Sequence, residues 1–384
     1  MTIDAELATI LHGNTTFAVN LYRQLSNIPG NLLFSPYSIS VALAMTYAGA
    51  RGETAKQIAR VMHFAPEQAG LHSAFAALQD RLSAVQQAGQ VQLGIANSIW
   101  PQVRYPLLPE FIALLHENYG VEITPLDYVH AHEEARLIIN AWVEDQTDKK
   151  IVDLISEKTL DSLVRLVLVN AVYFKGNWAA QFDPADTVDA PFWVAPGEST
   201  IVPMMQQIAA LRQGRFDGVQ VLELPYAGGE LSMLVLLPET LDGLDELQAA
   251  LSVEQLHVWT QRLDTGEVKV LLPKFKTEFA VALNETLIAM GMPAAFDADA
   301  ADFSGMDGFT GLYIGYVLHK AFIDVNEEGT EAAAATGVVV ATRAALPPQR
   351  EPVVFRADRP FVFAIRHNAS GAVLFLGHVV DPAP

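Results

Sequence analysis

The chain of 384 residues contains no cysteine. A disulfide framework, a thiol nucleophile and a thiolate-bound metal are excluded, because each needs a Cys side chain. Basic residues are also scarce, since 24 Lys and Arg stand against 44 Asp and Glu and leave a formal net charge of −20. Nucleic acids and anionic membrane surfaces are bound through basic patches, so we expect neither as a partner.

Long apolar runs and linkers are missing as well. No stretch reaches the ~18 consecutive apolar residues of a membrane span, and no Gly/Ser-rich or Pro-rich segment divides the chain. We therefore expect one domain over residues 1–384. The first residues lack the basic start and apolar core of an export signal, which predicts either a cytoplasmic protein or the mature form of an exported one.

Motifs of enzyme active sites are absent too. The glycines between Gly49 and Lys56 lack the spacing of a phosphate-binding loop, and no Gly-x-Ser-x-Gly elbow occurs. The acidic residues between Asp297 and Asp302 lack the glycine and the final Glu of a calcium loop. We expect no enzymatic activity, no metal and no cofactor.

Apolar spacing divides the chain into a mainly helical first part and a strand-rich remainder. Helical spacing covers residues 5–25, 39–47, 53–61, 71–86, 109–118 and 131–145, and Ser35-Pro36 is a typical helix start. Strand patterns cover residues 91–100, 163–174, 219–224, 231–237, 268–275, 317–325, 361–366 and 373–379. This order predicts an α+β fold, because regular βαβ winding would alternate the two types.

Asn170 interrupts the most apolar of the predicted strands. A buried amide must find hydrogen-bond partners. Asn170 could face water at a strand end, or it could join an interior polar cluster. For the cluster, Ser35, Ser38 and His319 are the natural candidates, since each stands beside an apolar run.

The segment from Glu327 to Arg343 changes character along its length. It begins acidic, continues with tiny residues, becomes β-branched at residues 338–340 and ends on a lone Arg. Helix propensity favours a helical turn or an Ala-rich linker for residues 330–335. A strand is the alternative: Thr330 and every second residue up to Val340 would form one face of small or apolar side chains. Such a segment could be a solvent-exposed loop that presents its Arg to a partner, and it could also form a strand within a sheet.

Several motifs, in a fixed order along nearly the whole chain, resemble those of the serpin family. They are residues 31–40 (NLLFSPYSIS), 52–55 (GETA), 168–178 (LVNAVYFKGNW), 319–333 (HKAFIDVNEEGTEAA), 355–368 (FRADRPFVFAIRHN) and 374–382 (LFLGHVVDP). The resemblance implies an α+β fold with three β-sheets, about nine helices and an exposed reactive-centre loop at about residues 327–348.

The resemblance also implies roles for particular residues. Ser35, Ser38, Asn170 and His319 match the shutter of the family, and Trp178 matches its breach, near the point of loop entry. The hinge of the loop corresponds to Glu327, Glu328, Gly329, Thr330, Glu331, Ala332, Ala333, Ala334 and Ala335. Counting along the usual loop length puts the scissile bond between Arg343 and Ala344.

The implied function is inhibition of a serine protease as a suicide substrate. Arg343 suits a trypsin-like protease, whose primary pocket carries a carboxylate. Cleavage would free residues 329–342 to insert as a strand, which at ~3.3 Å per residue carries the trapped acyl-enzyme about 45 Å. We expect a monomer, with no heparin-type activation because residues 71–86 carry little positive charge.

Two alternatives remain open. One is a carrier or chaperone that has the serpin fold without inhibitory activity. The other is inhibition of an elastase-like, subtilisin-like or cysteine protease through a neighbouring bond.

Overall fold

The computed structural model describes residues 3–65, 70–87, 91–121, 123–330 and 351–383. The predictions for residues 331–350 therefore lie outside the described residues. They concern Glu331, Ala332, Ala333, Ala334 and Ala335 of the hinge, the strand face beyond Thr330, and the bond between Arg343 and Ala344.

Ten α-helices lie in the described ranges. They are α1 (Ile3–Leu25), α2 (Pro36–Gly49), α3 (Gly52–Met62), α4 (Leu71–Gln87), α5 (Pro109–Tyr119), α6 (Tyr128–Gln146), α7 (Leu244–Ala250), α8 (Val253–Gln261), α9 (Asn284–Ala289) and α10 (Ser304–Asp307). The first six are the helices that apolar spacing predicts. The last four escape prediction because helices of nine residues or fewer show little periodicity. None of these helices combines the length and apolarity that a membrane crossing requires.

The helix α2 is buried along its whole length, as its nearly uniform apolar sequence predicts. Ser35 caps its start, because the Ser35 side chain accepts a hydrogen bond from the Ser38 backbone N–H at 3.1 Å. Pro36 occupies the first turn, where a missing N–H costs nothing. This cap fixes Ser35 and Ser38 in the centre of the molecule.

Fourteen strands lie in the same ranges. They are β1 (Leu32–Phe34), β2 (Val91–Pro101), β3 (Leu166–Asn177), β4 (Val188–Ala195), β5 (Glu198–Phe216), β6 (Val219–Pro225), β7 (Leu231–Pro238), β8 (Asp264–Pro273), β9 (Phe275–Ala282), β10 (Tyr316–Val325), β11 (Gly329–Thr330), β12 (Val353–Arg356), β13 (Phe361–His367) and β14 (Val373–Val379). Helices and strands are thus combined in the α+β class that the sequence predicts.

The strands form two hydrogen-bonded sheets. One has nine strands in the order β1-β14-β13-β7-β6-β5-β8-β12, with β4 beside β5, and the other has five in the order β2-β3-β11-β10-β9. The long strand β5 pairs with β4 along its first part, with β8 along its middle and with β6 along its last part. Two of the three expected sheets are therefore continuous through β5.

Both faces of the five-stranded sheet are covered. Leu168, Val172 and Phe174 of β3 belong to the large core that includes α2. Val167 and Val169 point the other way, into a second core beneath α6. Coverage on both faces explains why β3 is apolar on both sides apart from Asn170, since a central strand covered on both faces does not alternate.

Candidate functional site

The centre of the five-stranded sheet contains a seam between two parallel strands, β3 and β10. These strands pair directly from Val167 opposite Tyr316 to Tyr173 opposite Phe322. The other strand pairs of this sheet are antiparallel. Parallel pairing is slightly less stable per residue than antiparallel pairing. Separating β3 from β10 to admit another strand would therefore require less free energy than separating the other strand pairs of this sheet.

The short strand β11 occupies one end of this seam. Gly329 lies opposite Asn177 and Thr330 opposite Gly176 of β3, while Thr330 also pairs with Val325 of β10. The chain therefore enters the sheet between β3 and β10 at Thr330, the last described residue before position 331. Of the predicted hinge, Gly329 and Thr330 are strand residues.

Polar side chains form a row across the seam. Asn97 of β2 lies opposite Asn170 of β3, which lies opposite His319 of β10. The Asn170 side-chain amide donates to the Ser38 hydroxyl at 2.5 Å and to the side-chain oxygen of Asn97. The Ser38 hydroxyl donates to the same side-chain oxygen of Asn97 at 3.0 Å. One hydrogen-bonded group thus joins three strands to the start of α2.

The tautomer of His319 follows from its two partners. The Ser35 backbone N–H donates to His319 Nε2 at 3.2 Å, so the ring proton is on Nδ1 and is donated to the Asn170 oxygen. Burial lowers the pKa of His319 to about 3. A proton added to Nε2 would face the Ser35 N–H, and the contact between β10 and α2 would lose its hydrogen bond.

The end of the seam where β11 enters is closed by two stacked aromatic rings. The Trp178 and Tyr226 rings are parallel within 14° at a centroid distance of 4.7 Å. The Tyr226 hydroxyl bonds to the hydroxyl of fully buried Thr330 at 2.8 Å. The Trp178 indole N–H donates to the Asn326 carbonyl at 3.0 Å, and its backbone N–H donates to the Glu328 carbonyl at 2.9 Å. Trp178 therefore contacts the chain on the approach to the seam.

The backbone at Gly329 leaves no room for a side chain. A Cβ there would lie 2.0 Å from the Gly176 carbonyl oxygen and 2.6 Å from the Asn177 Cα. Both neighbours are backbone of β3 and cannot turn aside. Glycine is therefore required for β11 to lie this close to β3.

Glu327 anchors the segment just before β11. Its carboxylate accepts from Lys274 Nζ at 2.9 Å and from the Thr187 hydroxyl at 2.8 Å, and the residue is buried. Burial alone would raise the pKa of Glu327, but the Lys274 hydrogen bond leads the interactions that hold it below its ordinary value. The anchor is therefore present at neutral pH and is lost as pH falls through the lowered pKa.

A segment after α6, residues 147–155, lies across the outer face of the seam, and we call it the strap. Lys320 of β10 donates to the Val152 carbonyl of the strap at 2.8 Å. The Tyr173 hydroxyl of β3 donates to Asp148 of the strap at 2.7 Å. Because Tyr173 and Lys320 lie on opposite sides of the seam, the strap holds the two strands together from outside.

The strap has an unfavourable backbone. Asp148, Lys149 and Asp153 have positive φ angles of 47°, 62° and 48°. Such conformations are costly for residues other than glycine. The strap is thus held by its side-chain anchors, which include the Asn140 and Arg136 side chains donating to the Ile155 carbonyl at 2.9 and 3.0 Å.

The structure brings together the residues that the sequence singles out for the shutter. Ser35, Ser38, Asn170 and His319 form one group, and Asn170 is buried within it, not at a water-facing strand end. Trp178 contacts Asn326 and Glu328, on the approach to Gly329 and Thr330. The roles that the family resemblance assigns to these residues stay predictions.

Sequence reasoning missed four partners. Asn97 could have been found, because it interrupts a predicted strand as Asn170 does. Tyr226, Lys274 and Thr187 give no such signal, since each meets the hinge only through contacts more than 50 residues apart in sequence.

Within the described part of the chain, no three His, Asp or Glu side chains gather in a group that could hold a metal ion.

Comparison with known proteins agrees with this architecture. Residues 12–382 match the family model for serpins, described as serine protease inhibitors. Leukocyte elastase inhibitor A of Mus musculus is 43% identical over 379 residues, 96% of this chain and 98% of that protein. Leukocyte elastase inhibitor of Homo sapiens is 42% identical with the same coverage.

A solved structure extends the agreement to three dimensions. The crystal structure of uncleaved ovalbumin superposes with a TM-score of 0.87 at 34% identity, covering 97% of this chain and 100% of that one. The chain therefore belongs to the serpin family of serine protease inhibitors, and it is an inhibitor and not an enzyme.

Proposed function

We propose that this serpin inhibits trypsin-like serine proteases as a suicide substrate cleaved between Arg343 and Ala344. The observation that carries the proposal is the position of β11. Gly329 and Thr330 already lie between β3 and β10. They are at the end of a seam that is joined by side-chain hydrogen bonds. Once the bond after Arg343 is cut, the segment that follows Thr330 is free to continue into the sheet.

The observed register sets how far the segment can enter. Continuing the antiparallel pairing of Thr330 with Gly176 puts Val340 opposite Leu166, the first residue of β3. Continuing the pairing with Val325 puts Val339 opposite Tyr316, the first residue of β10. The ten residues past Thr330 would span about 33 Å, which carries a protease bound near Arg343 toward the opposite end of the sheet.

The side chains of the segment suit both covered faces. Thr330 points inward to Tyr226, so every second residue up to Val340 would point into the core, and all of these are small or apolar. Glu331 would point toward the α6 side, close to the sheet end. With net hydrogen bonds of ~1 kcal/mol each, ten added residues stabilise the inserted form by something on the order of 10 kcal/mol.

Arg343 selects the target in this proposal. The leukocyte elastase inhibitors are relatives named for an elastase, whose small primary pocket excludes a long cationic side chain. An elastase would instead have to use Val340 or Ala341, two or three residues earlier in the loop. Trypsin and leukocyte elastase are therefore the informative pair of proteases.

The test is incubation of the intact protein with each protease. We expect a covalent band that survives SDS with trypsin, and mass spectrometry should find the new C-terminus at Arg343. Arg343→Ala should lower the rate of trypsin trapping by ~100-fold or more, since the ion pair in the primary pocket is lost, while Arg350→Ala should leave it unchanged. Equal trapping of trypsin by Arg343→Ala would show that another bond is used.

A second variant separates trapping from cleavage. Thr330→Arg puts a long charged side chain beside Tyr226 in a fully buried position, so insertion should become slower than deacylation, which takes ~0.1 s at typical turnover. Trypsin should then cut the loop and leave, and Thr330→Ser is the matched control that keeps the hydroxyl. Loop cleavage without any covalent complex in the unmodified protein would contradict the proposed suicide-substrate mechanism.

A further inference from the structure

A cavity of about 500 Å³ lies beside β2, the edge strand of the five-stranded sheet. Its walls come from β2 and from α2, α4, α5 and α6. It is large enough for a ligand of one or two sugar rings, since small-molecule sites start at about 300 Å³. It adjoins the site described above at Asn97, which belongs to the polar row across the seam.

Among the residues that the structure describes, none in the walls of this cavity has a charged side chain. All sixteen lining residues are neutral, although 18% of the chain is charged and its net charge is −20. Three other described cavities each include a charged residue, either Arg366 or Glu117. Neutrality is thus a property of this cavity and not of the surface in general.

The neutral walls are rich in hydrogen-bonding groups. Amides of Gln79, Gln86, Asn97 and Gln146 and the hydroxyl of Ser83 line the space. Each amide supplies both donors and an acceptor. The Gln86 oxygen accepts from the Leu93 backbone N–H at 3.3 Å, so this amide also connects α4 to β2.

Aromatic rings complete the lining. Trp100 and Trp142 meet edge to face at a centroid distance of 5.5 Å, and Tyr37 and Tyr119 lie on the wall as well. Indole and phenol rings offer apolar surface with a polar edge. The cavity therefore combines apolar rings with paired donors and acceptors and has no ionic group.

This combination restricts the chemistry of a ligand. A phosphate, carboxylate or ammonium group would be desolvated without a counter-charge, which is costly. A purely apolar ligand would leave the amides without partners. A neutral sugar matches both features, because its hydroxyls donate and accept while its C–H faces are apolar.

We propose that this cavity is a binding site for an uncharged polyhydroxylated ligand, a neutral mono- or disaccharide. Occupancy would hold β2 against α4. Because β2 pairs with β3 over eleven positions, and Asn97 joins Asn170 on β3, the two strands move as one body. Opening the seam by one strand spacing of ~4.8 Å would displace that body and change the cavity.

A ligand that fits the closed form therefore opposes insertion of the loop. This consequence rests on the proposed function, whereas binding itself does not. The protease is trapped only when insertion is faster than deacylation. A bound sugar slows insertion, so a larger fraction of inhibitor molecules would be cleaved and released. The stoichiometry of inhibition should rise accordingly.

The binding experiment uses the intact chain without protease. Calorimetry and saturation-transfer NMR with glucose, maltose and glucuronate should show saturable binding of a neutral sugar with a Kd of ~1 mM, about −4 kcal/mol. Glucuronate, which differs from glucose by one carboxylate, should bind at least ~10-fold more weakly. Saturation distinguishes binding at a site from the general stabilisation of proteins by sugars, which increases with sugar concentration without reaching a plateau.

Two variants locate the site. Ser83→Trp fills the cavity from α4 and should lower affinity by ~10-fold or more, while Ser83→Ala should retain it within about 2-fold. Gln146→Trp at the exposed rim repeats the test if Ser83→Trp unfolds. The site is wrong if no neutral sugar binds saturably, if glucuronate binds as well as glucose, or if binding is indifferent to both Trp variants.

The coupling has its own readout. Saturating maltose should raise the stoichiometry of trypsin inhibition for the unmodified chain and for Ser83→Ala but not for Ser83→Trp. Binding without that rise would refute the coupling and leave the site standing. Absence of trypsin inhibition in every sample would refute the proposed function, and the binding result would remain unaffected.

Discussion

At the scale of single residues, His319 is the side chain whose charge state matters most. It is neutral in the folded chain because its Nε2 must accept the Ser35 N–H and because burial lowers its pKa to about 3. An unfolded His has a pKa of ~6.5. Between these values the unfolded chain binds the extra proton, so the stability of the native form falls as pH falls below ~6.5.

We therefore expect His319→Gln to flatten the pH dependence of stability. A Gln amide can accept from Ser35 and donate to Asn170 without titrating. The unmodified chain should lose up to ~1.4 kcal/mol per pH unit more than the variant on going from pH 7 to pH 5. Thermal unfolding midpoints at both pH values provide the measurement, and parallel pH profiles of the two proteins would contradict the assignment.

At the scale of elements, the proposed mechanism makes the strap a control on how readily the seam opens. Its anchors Lys320 and Tyr173 belong to strands that must separate, and its backbone has positive φ angles at three non-glycine residues. Release of the strap would relieve that strain. The anchors are thus expected to slow insertion and to protect the closed sheet.

Lys320→Met is the variant that tests the strap. Methionine keeps the long unbranched packing of a buried lysine, while the bond to the Val152 carbonyl and the pair with Glu278 are lost. Loss of ~1 kcal/mol from the barrier should speed insertion about 5-fold. Stopped-flow fluorescence of a probe on the loop would measure the rate. Lys158→Met, on an exposed lysine outside the strap, is the control and should change nothing.

At the scale of the whole molecule, the proposed mechanism requires that the intact fold store free energy that strand insertion would release. Of the described residues, only Gly329 and Thr330 lie between β3 and β10, and insertion of the loop after cleavage would add stabilisation on the order of 10 kcal/mol. The protein with a cleaved loop should therefore be more stable than the intact chain. Cleavage of a backbone bond in a loop usually has the opposite effect on stability.

Cutting the loop with a metalloprotease, which forms no acyl-enzyme, gives the measurement. For a chain of this size, ~10 kcal/mol corresponds to a rise in Tm of roughly 10 °C or more. Cleaved Thr330→Arg should show little of this rise, because the charged side chain blocks entry of the strand. An unchanged Tm in the cleaved, unmodified protein would mean that the loop does not insert.

The helices and the central strand were accessible from sequence because local pattern determines them. Apolar spacing locates α1 to α6, and the apolar residues on either side of Asn170 in β3 indicate a strand covered on both faces. The strand β5 was missed because it crosses several environments, and its exposed and buried residues follow no steady alternation. The short helices α7 to α10 carry too few turns to show a period.

The sequence by itself determined which segments can become helix or strand and which residues must find partners in the interior. It also set the requirement for a small side chain at each alternate position of residues 330–340, because a strand alternates its faces whatever its surroundings. Only the tertiary structure decided that Thr330 meets Tyr226, that Glu327 meets Lys274, and that the strap spans the seam. Those contacts join distant parts of the chain, and their energies depend on distances that folding creates.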